Sequence, residues 1–191
     1  MKAEERAAMK ITVFGKGHVG GGLADLWEAA GHKVTPLGRN GGDAGDADVV
    51  LIAVPGKALA EAIGKLSGIK GKTVIDATNR FGVEPPAGFK SNAEFVKSKT
   101  NGPTAKAFNI NFASLYGRLK EAKSPPSNLW CGDDSARAVV EQLSRDAGYD
   151  PVSAGPITNA AEQENLIKII FAINQSGLGP FVYRMAHPEE L

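Results

Sequence analysis

Three glycines near the start of the sequence have the pattern Gly15-x-Gly17-x-x-Gly20. The pattern directly follows a β-rich run and precedes apolar residues at helical spacing. In such a turn the first glycine permits a tight bend, the second lets the backbone approach a pyrophosphate, and the third allows close helix–strand packing. The free N–H groups of the helix start would then favour phosphate groups. The segment predicts a dinucleotide-binding turn, and a glycine turn without a ligand is the alternative.

The tip of the second predicted strand carries an arginine where a carboxylate would favour NAD. It reads Leu37-Gly38-Arg39-Asn40, without the Asp or Glu that accepts a hydrogen bond from the ribose 2′-hydroxyl. Arg39 could instead bind a 2′-phosphate through a charge-assisted contact. We therefore expect NADP(H), with Arg39 and its neighbour Asn40 in the cofactor-binding set. A solvated Arg39, or a loop that returns Asp43 to the ribose, would weaken this prediction.

Other parts of the sequence do not indicate acid–base, nucleophilic or metal chemistry. His18 lies inside the glycine turn, where it could touch phosphate or nicotinamide or be an ordinary loop residue. Cys131 lies between a tryptophan and a glycine and is expected in the core. Asp133 or Asp134 is expected to cap the following helix. We predict no catalytic side chain and no metal ligand.

Strand-like and helix-like segments alternate along the chain. Continuous apolar runs, as in residues 49–54, are typical of parallel strands buried on both faces. The alternation predicts an α/β fold, a doubly wound and mostly parallel sheet with a short C-terminal helical segment. Strands are expected at residues 10–14, 33–37, 49–54, 73–76, 106–109, 128–131 and 150–153, and helices at 19–30, 58–66, 136–147 and 160–173. Residues 80–104 are expected to form a long loop with one helical turn near 93–97.

Composition excludes several classes of protein. The chain has 191 residues, with 22 Lys and Arg against 21 Asp and Glu, so no basic field attracts nucleic acid. No apolar stretch is long enough to cross a membrane. One cysteine cannot form an internal disulfide, which favours a reducing compartment and a cytoplasmic location. We expect one domain over residues 9–186 and a flexible N-terminal extension over residues 1–8.

Taken with these motifs, the chain resembles the NADPH:coenzyme F420 oxidoreductase family over roughly residues 9–186. In the N-terminal half the resemblance rests on residues 10–22, Gly38-Arg39, 53–55 and 107–109. The C-terminal part is the most specific, with Cys131-Gly-Asp-Asp134, Gly148-Tyr-Asp-Pro-Val152 and Ser153-Ala-Gly-Pro156. The family usually has a basic helix after the position of Arg39, whereas residues 40–46 are short and acidic here. Residues 81–104 do not align.

The resemblance implies a Rossmann domain that passes hydride between NADP(H) and a deazaflavin, without a required protein acid or base. By position, Lys16, Gly17, His18 and Val19 would contact the pyrophosphate, and Gly38 and Arg39 would hold the 2′-phosphate. The nicotinamide side would be lined by Val54, Pro55, Asn79 and Asn109. The acceptor is a small redox molecule, with coenzyme F420 favoured and a flavin or a small carbonyl or imine compound as the alternative. A non-catalytic NADP-binding redox sensor is the rival class.

The C-terminal helix is apolar nearly all round at residues 167–173. A helix on one edge of a small sheet does not need so many apolar positions. We therefore expect a homodimer that buries this helix and completes the acceptor pocket. Packing of the helix across the sheet within one chain is the alternative.

Overall fold

The computed structural model describes residues 7–190, so residues 1–6 of the predicted extension lie outside the described part. Nine strands occur in residues 7–190: β1 (Lys10–Phe14), β2 (Lys33–Leu37), β3 (Gly42–Asp43), β4 (Val49–Ile52), β5 (Leu66–Ser67), β6 (Thr73–Asp76), β7 (Thr104–Lys106), β8 (Ser127–Gly132) and β9 (Asp150–Ser153). Seven of them form one sheet in the order β2-β1-β4-β6-β7-β8-β9, and β3 pairs with β5 separately.

Every neighbouring pair in the large sheet is parallel except β7 and β8. Parallel strands end at the same side of a sheet, so β2, β1, β4, β6 and β7 all finish at one side, here called the carboxyl edge. The reversal at β8 places the ends of β8 and β9 at the opposite side. In open α/β sheets, ligands bind outside the carboxyl ends of the strands.

Five α-helices connect and cover the strands: α1 (His18–Ala29), α2 (Leu59–Ile63), α3 (Asn92–Thr100), α4 (Arg137–Asp146) and α5 (Ala160–Ile173). On one face of the sheet, Leu23 and Trp27 of α1 pack with Leu143 of α4. On the other face, apolar side chains of α2 and α3 form a second cluster. Helices on both faces of a mostly parallel sheet confirm the predicted doubly wound α/β fold.

The buried strands explain the continuous apolar runs of the sequence. Val49 and Leu51 belong to the cluster on one face, whereas Val50 and Ile52 belong to the cluster on the other. Side chains alternate between the two faces of a strand, so a strand covered on both faces needs apolar residues throughout. None of the helices in residues 7–190 has the length and apolar composition needed to cross a membrane.

Several predicted boundaries are confirmed, and others change. The strands predicted at residues 10–14, 33–37, 73–76 and 150–153 and the helix at 160–173 have the predicted limits. The strand expected at 106–109 lies instead at Thr104–Lys106. Phe108 has a left-handed backbone, with φ of 61°. A strand cannot continue through that conformation, so residues 107–109 leave the sheet as a loop at the carboxyl edge.

The segment predicted as a long loop contains a nine-residue helix, α3. The Ser91 hydroxyl accepts a hydrogen bond from the Glu94 N–H, at 3.1 Å, and caps the helix start. The sequence Ser91-x-x-Glu94 is the spacing of a capping box. The prediction of a single helical turn was therefore too short.

The prediction that Asp133 or Asp134 caps the next helix is wrong. Neither carboxylate accepts a capping hydrogen bond, and the N-cap of α4 is Ala136. Asp133 instead pairs with Lys97 and accepts a hydrogen bond from the Thr104 N–H, at 2.9 Å. The Asp133 carboxylate therefore joins α3 to the start of β7.

Candidate cofactor site

The three glycines of the turn after β1 have three different structural roles. Gly15 has φ of 117°, a conformation that L side chains rarely adopt. A Cβ on Gly20 would overlap the Gly15 carbonyl, so Gly20 allows α1 to lie against the turn. Gly17 is the N-cap of α1, with an ordinary φ of −80°, and a Cβ there would meet nothing within 4 Å. Gly17 therefore lies below open space, at a helix start that no side chain of the described residues caps.

Basic side chains are exposed around this open space. Lys16 and His18 flank Gly17 in the turn. Arg39 and Asn40 are the central residues of a tight turn at the end of β2, closed by the Gly41 N–H and the Gly38 carbonyl at 3.0 Å. The Gly15 N–H donates to the Leu37 carbonyl, at 3.0 Å, and holds this turn beside the glycine loop. The Lys16 and Arg39 side chains form no ion pair within the described residues, so both remain available to an anion.

The structure resolves the alternative role of Asp43. Its carboxylate accepts a hydrogen bond from the Ser67 hydroxyl, at 2.6 Å, within the small sheet of β3 and β5. This contact occupies Oδ1 of the Asp43 carboxylate within the small sheet. Arg39 is therefore the charged side chain that the β2 turn offers to a ribose.

The loops after β4 and β6 lie against each other. A Cβ on Gly56 would overlap the Asn79 carbonyl, so Gly56 allows close approach of the two loops. Val54 is half-buried, and the next residue, Pro55, is exposed. The structure thus brings Val54, Pro55 and Asn79 together at the carboxyl edge. The end of β4, which carries Val54, is two strands away from the end of β2, which carries Arg39.

Asn79 and Asn109 form a reciprocal amide pair at this edge. Asn79 Nδ2 donates to the Asn109 carbonyl at 2.5 Å, and Asn109 Nδ2 donates to Asn79 Oδ1 at 3.1 Å. Asn109 is buried, and its Oδ1 accepts a hydrogen bond from Gln163 Nε2 at 2.9 Å. Asn79 is half-buried, so it is the member of the pair that reaches the edge.

Sequence reasoning missed a buried charged cluster beneath the amide pair. Lys106 Nζ lies 2.8 Å from Asp76 Oδ2 and 3.1 Å from Glu164 Oε1, and all three side chains are fully buried. Arg80 Nε lies 2.8 Å from Glu164 Oε2, so two cations balance two carboxylates. Asp76 and Lys106 are register partners on β6 and β7. Because buried charges require pairing, the cluster ties α5 to the strand ends that carry Asn79 and Asn109.

Burial shapes the titration of two groups near this cluster. Desolvation raises the pKa of Glu164 above its ordinary value of 4.5, although Lys106 opposes the shift. Desolvation also raises the pKa of Cys131 to about 12, so this buried thiol stays protonated at neutral pH. The prediction that Cys131 is a core residue is confirmed. Within residues 7–190 no group of His, Cys, Asp and Glu side chains could hold a metal ion.

The sheet order, the glycine turn and the flanking helices define a Rossmann-like fold. No protein-family model matches the sequence, and no curated protein matches it significantly. Among solved structures, the chain is similar to a protein from Arthrobacter sp. FB24 assigned as an F420-dependent NADP reductase. The two are 23% identical with a TM-score of 0.78, and the match covers 94% of this chain and 100% of that chain.

Two further similarities concern the same fold. A hypothetical protein from Sinorhizobium meliloti is 22% identical, with a TM-score of 0.63, over 81% of this chain and 88% of that chain. A reductive aminase from Aspergillus terreus in complex with NADPH and ethyl levulinate is 14% identical, with a TM-score of 0.65, over 89% of this chain and 64% of that chain. The resemblance inferred from the sequence is thus supported at the level of the fold.

Proposed function

We propose that the protein is an NADP(H)-dependent oxidoreductase. The observation that carries the proposal is the open space above Gly17, at a helix start beside Lys16 and Arg39, for which residues 7–190 supply neither a side-chain cap nor an ion pair. A pyrophosphate fits the free N–H groups of α1, and a 2′-phosphate fits Arg39. The predicted cofactor-binding set stays a proposal, and it runs along the carboxyl edge from β2 to β7.

The residues at this edge would bind and orient the two reactants. When bound, NADPH would supply a hydride from its nicotinamide ring. Val54, Pro55 and Asn79 would hold that ring between the ends of β4 and β6, and proximity to the acceptor would provide much of the rate. The buried side chains of Lys106 and Glu164 pair with each other, and they also contact Asp76, Arg80 and backbone groups. The proposal therefore gives no side chain the role of acid or base.

A deazaflavin, coenzyme F420, is our proposed acceptor. The sequence resemblance and the name of the Arthrobacter protein support it. A flavin or a small carbonyl or imine compound is the alternative, which the name of the Aspergillus protein, a reductive aminase, supports. A panel of these acceptors, each assayed for oxidation of NADPH, separates them. Binding of NADPH without turnover of any acceptor would favour the non-catalytic redox sensor. The lone buried cysteine fits our expectation of a reducing, cytoplasmic location.

Replacing Arg39 with alanine is expected to remove most of the preference for NADPH over NADH. Hydrogen bonds to charged groups contribute about 1.5–3 kcal/mol, which corresponds to roughly 10- to 150-fold in affinity. Titration of both cofactors against wild type and Arg39→Ala measures the change. Arg118→Ala is the control, because Arg118 is an exposed arginine paired with Glu121 at 2.8 Å. An unchanged ratio in Arg39→Ala would exclude Arg39 as the phosphate ligand.

We further propose that a second copy of the chain covers the exposed apolar surface beside the site. Within residues 7–190, the exposed large hydrophobic side chains all come from residues 81–83 and 169–185: Phe81, Val83, Ile169, Phe171, Ile173, Leu178, Val182 and Met185. The rings of Phe81 and Phe171 touch edge to face, with centroids 5.5 Å apart, so the two segments form one surface. Contiguous apolar surfaces of this kind mark interfaces.

Ile169→Glu is expected to convert the proposed dimer into a monomer. Ile169 is 58% exposed, so a carboxylate there is solvated in one chain and desolvated only in a dimer. Light scattering at micromolar concentration measures the mass, and Ala138→Glu on the exposed face of α4 is the control. A monomeric wild type with full activity would refute the dimer.

A further inference from the structure

Gln163 of α5 is a buried residue that contacts Asn109, the buried member of the amide pair. It is 3% exposed. Its Nε2 atom faces three oxygen atoms: Asn109 Oδ1 at 2.9 Å, the Leu129 carbonyl at 3.0 Å and the Lys106 carbonyl at 3.3 Å. A flipped Gln163 amide would place Oε1 against these three acceptors. Its orientation is therefore fixed by backbone groups of β7 and β8 that cannot donate.

The fixed Gln163 amide determines the orientation of Asn109. Because Asn109 Oδ1 accepts from Gln163, its Nδ2 must point the other way, toward Asn79 Oδ1 at 3.1 Å and the Gln163 carbonyl at 3.3 Å. Gln163 Oε1 has no hydrogen-bond partner within the described residues, although it is buried. The position thus uses only the donor side of glutamine, and it carries an unpaired buried acceptor, which costs stability.

Asn109 in turn determines the orientation of Asn79. Asn79 Oδ1 accepts from Asn109, and Asn79 Nδ2 donates to the Asn109 carbonyl. An amide has two donor hydrogens and two acceptor lone pairs. Half-buried Asn79 therefore keeps one donor and one acceptor for a ligand, in an order that Gln163 fixes from α5.

We propose that Gln163 is a positioning residue that makes Asn79 present a defined donor and acceptor to a primary carboxamide, the polar group of a nicotinamide ring. A carboxamide carries the complementary pair, and its orientation decides which ring face meets the acceptor. This inference rests on the proposed function only for the identity of the ligand. The hydrogen bonds that run from Gln163 through Asn109 to Asn79 are present in the protein without any ligand.

The test first uses the ligand-free, ¹⁵N-labelled protein. In wild type, the side-chain NH₂ groups of Gln163 and Asn109 are expected to exchange with solvent at least tenfold more slowly than that of exposed Asn165. In Gln163→Met, which keeps the volume of the side chain, Asn109 exchange is expected to accelerate at least tenfold and the Asn79 signals to shift. Gln142→Met is the matched control, because Gln142 lies on α4 and donates to the Ala7 carbonyl, outside the amide pair. Fast exchange in wild type, or unchanged Asn79 and Asn109 signals in Gln163→Met, would overturn the proposal.

The second arm adds NADPH and follows its fluorescence. Gln163→Met is expected to bind NADPH within about threefold of the wild-type affinity, because the phosphate contacts are intact. The anisotropy of the bound nicotinamide fluorescence is expected to fall, since the ring loses its fixed partner. The variant Gln163→Leu, which also lacks the amide donor, should behave alike, and it serves if Gln163→Met does not fold. A ring as immobile as in wild type would refute the positioning role. Absence of NADPH binding to wild type would instead refute the proposed function, and the exchange arm would still decide on Gln163.

Discussion

Gly17→Val is expected to abolish NADPH binding while the ligand-free protein loses only about 1 kcal/mol. The backbone of Gly17 has φ of −80° and ψ of −170°, which valine adopts without strain, and the new side chain would enter open space. The small loss arises because valine is a poor N-cap. The same side chain would occupy the volume that the pyrophosphate needs next to the N–H groups of α1. Binding should fail although folding does not.

Thermal melts with and without NADPH measure this separation. NADPH at about 100 times its dissociation constant should stabilise wild type by about 2.7 kcal/mol and Gly17→Val by nothing. Gly117→Val is the matched control, because Gly117 is exposed and its Cβ would also meet nothing within 4 Å. If Gly17→Val gains the full stabilisation, the turn does not bind the cofactor and the proposed function fails.

Lys106→Met is expected to destabilise the protein by about 3–5 kcal/mol at pH 7. Lys106 is fully buried between Asp76 and Glu164. Removing one partner of a buried ion pair leaves an uncompensated charge, and here two carboxylates would share only Arg80. Chemical denaturation gives the free energy of unfolding of each variant. The double variant Lys106→Met with Glu164→Gln should recover part of the loss, because it restores charge balance between Arg80 and Asp76.

The loss in Lys106→Met should depend on pH in a defined direction. Burial raises the pKa of Glu164, so the folded protein binds this proton more tightly than the unfolded chain does. The contribution of Glu164 to stability is therefore greatest below its ordinary pKa of 4.5 and is lost as the pH rises through the folded value. Without Lys106, which lowers that pKa, the folded value rises further. The difference between variant and wild type should shrink from pH 7 toward pH 5, and a constant difference would contradict this account.

The sequence predicted the half of the site that depends on local rules. Gly15, Gly17 and Gly20 lie within six residues of one another, and their spacing in the sequence was enough to predict the turn that they form. The buried strand β4 was visible as an apolar run. The N-terminal sheet and the predicted position of the cofactor turn follow from these signals.

The other half of the site depends on residues far apart in the chain. Lysine and glutamate are usually exposed. The sequence around Lys106 and around Glu164 therefore gives no indication that the two side chains meet in the core. The amide pair likewise joins two distant residues, Asn79 and Asn109. Asn109 follows Phe108, whose backbone is left-handed, a conformation that bulky residues rarely adopt and that the sequence does not predict. The helix α3, by contrast, does have a local signal in the sequence, because the spacing from Ser91 to Glu94 is that of a capping box.

The position of Glu164 and Gln163 on α5 also affects how the chain can fold during synthesis. Both residues belong to the last α-helix of the described chain, yet they complete polar groups on β6 and β7. A nascent chain that ends after β9 would hold Lys106 with one carboxylate instead of two and Asn109 without its donor. The strands of the sheet can pair early. The buried charge of Lys106 has both of its carboxylate partners only after α5 has left the ribosome. The helix that borders the proposed acceptor site is therefore also the element that closes the fold.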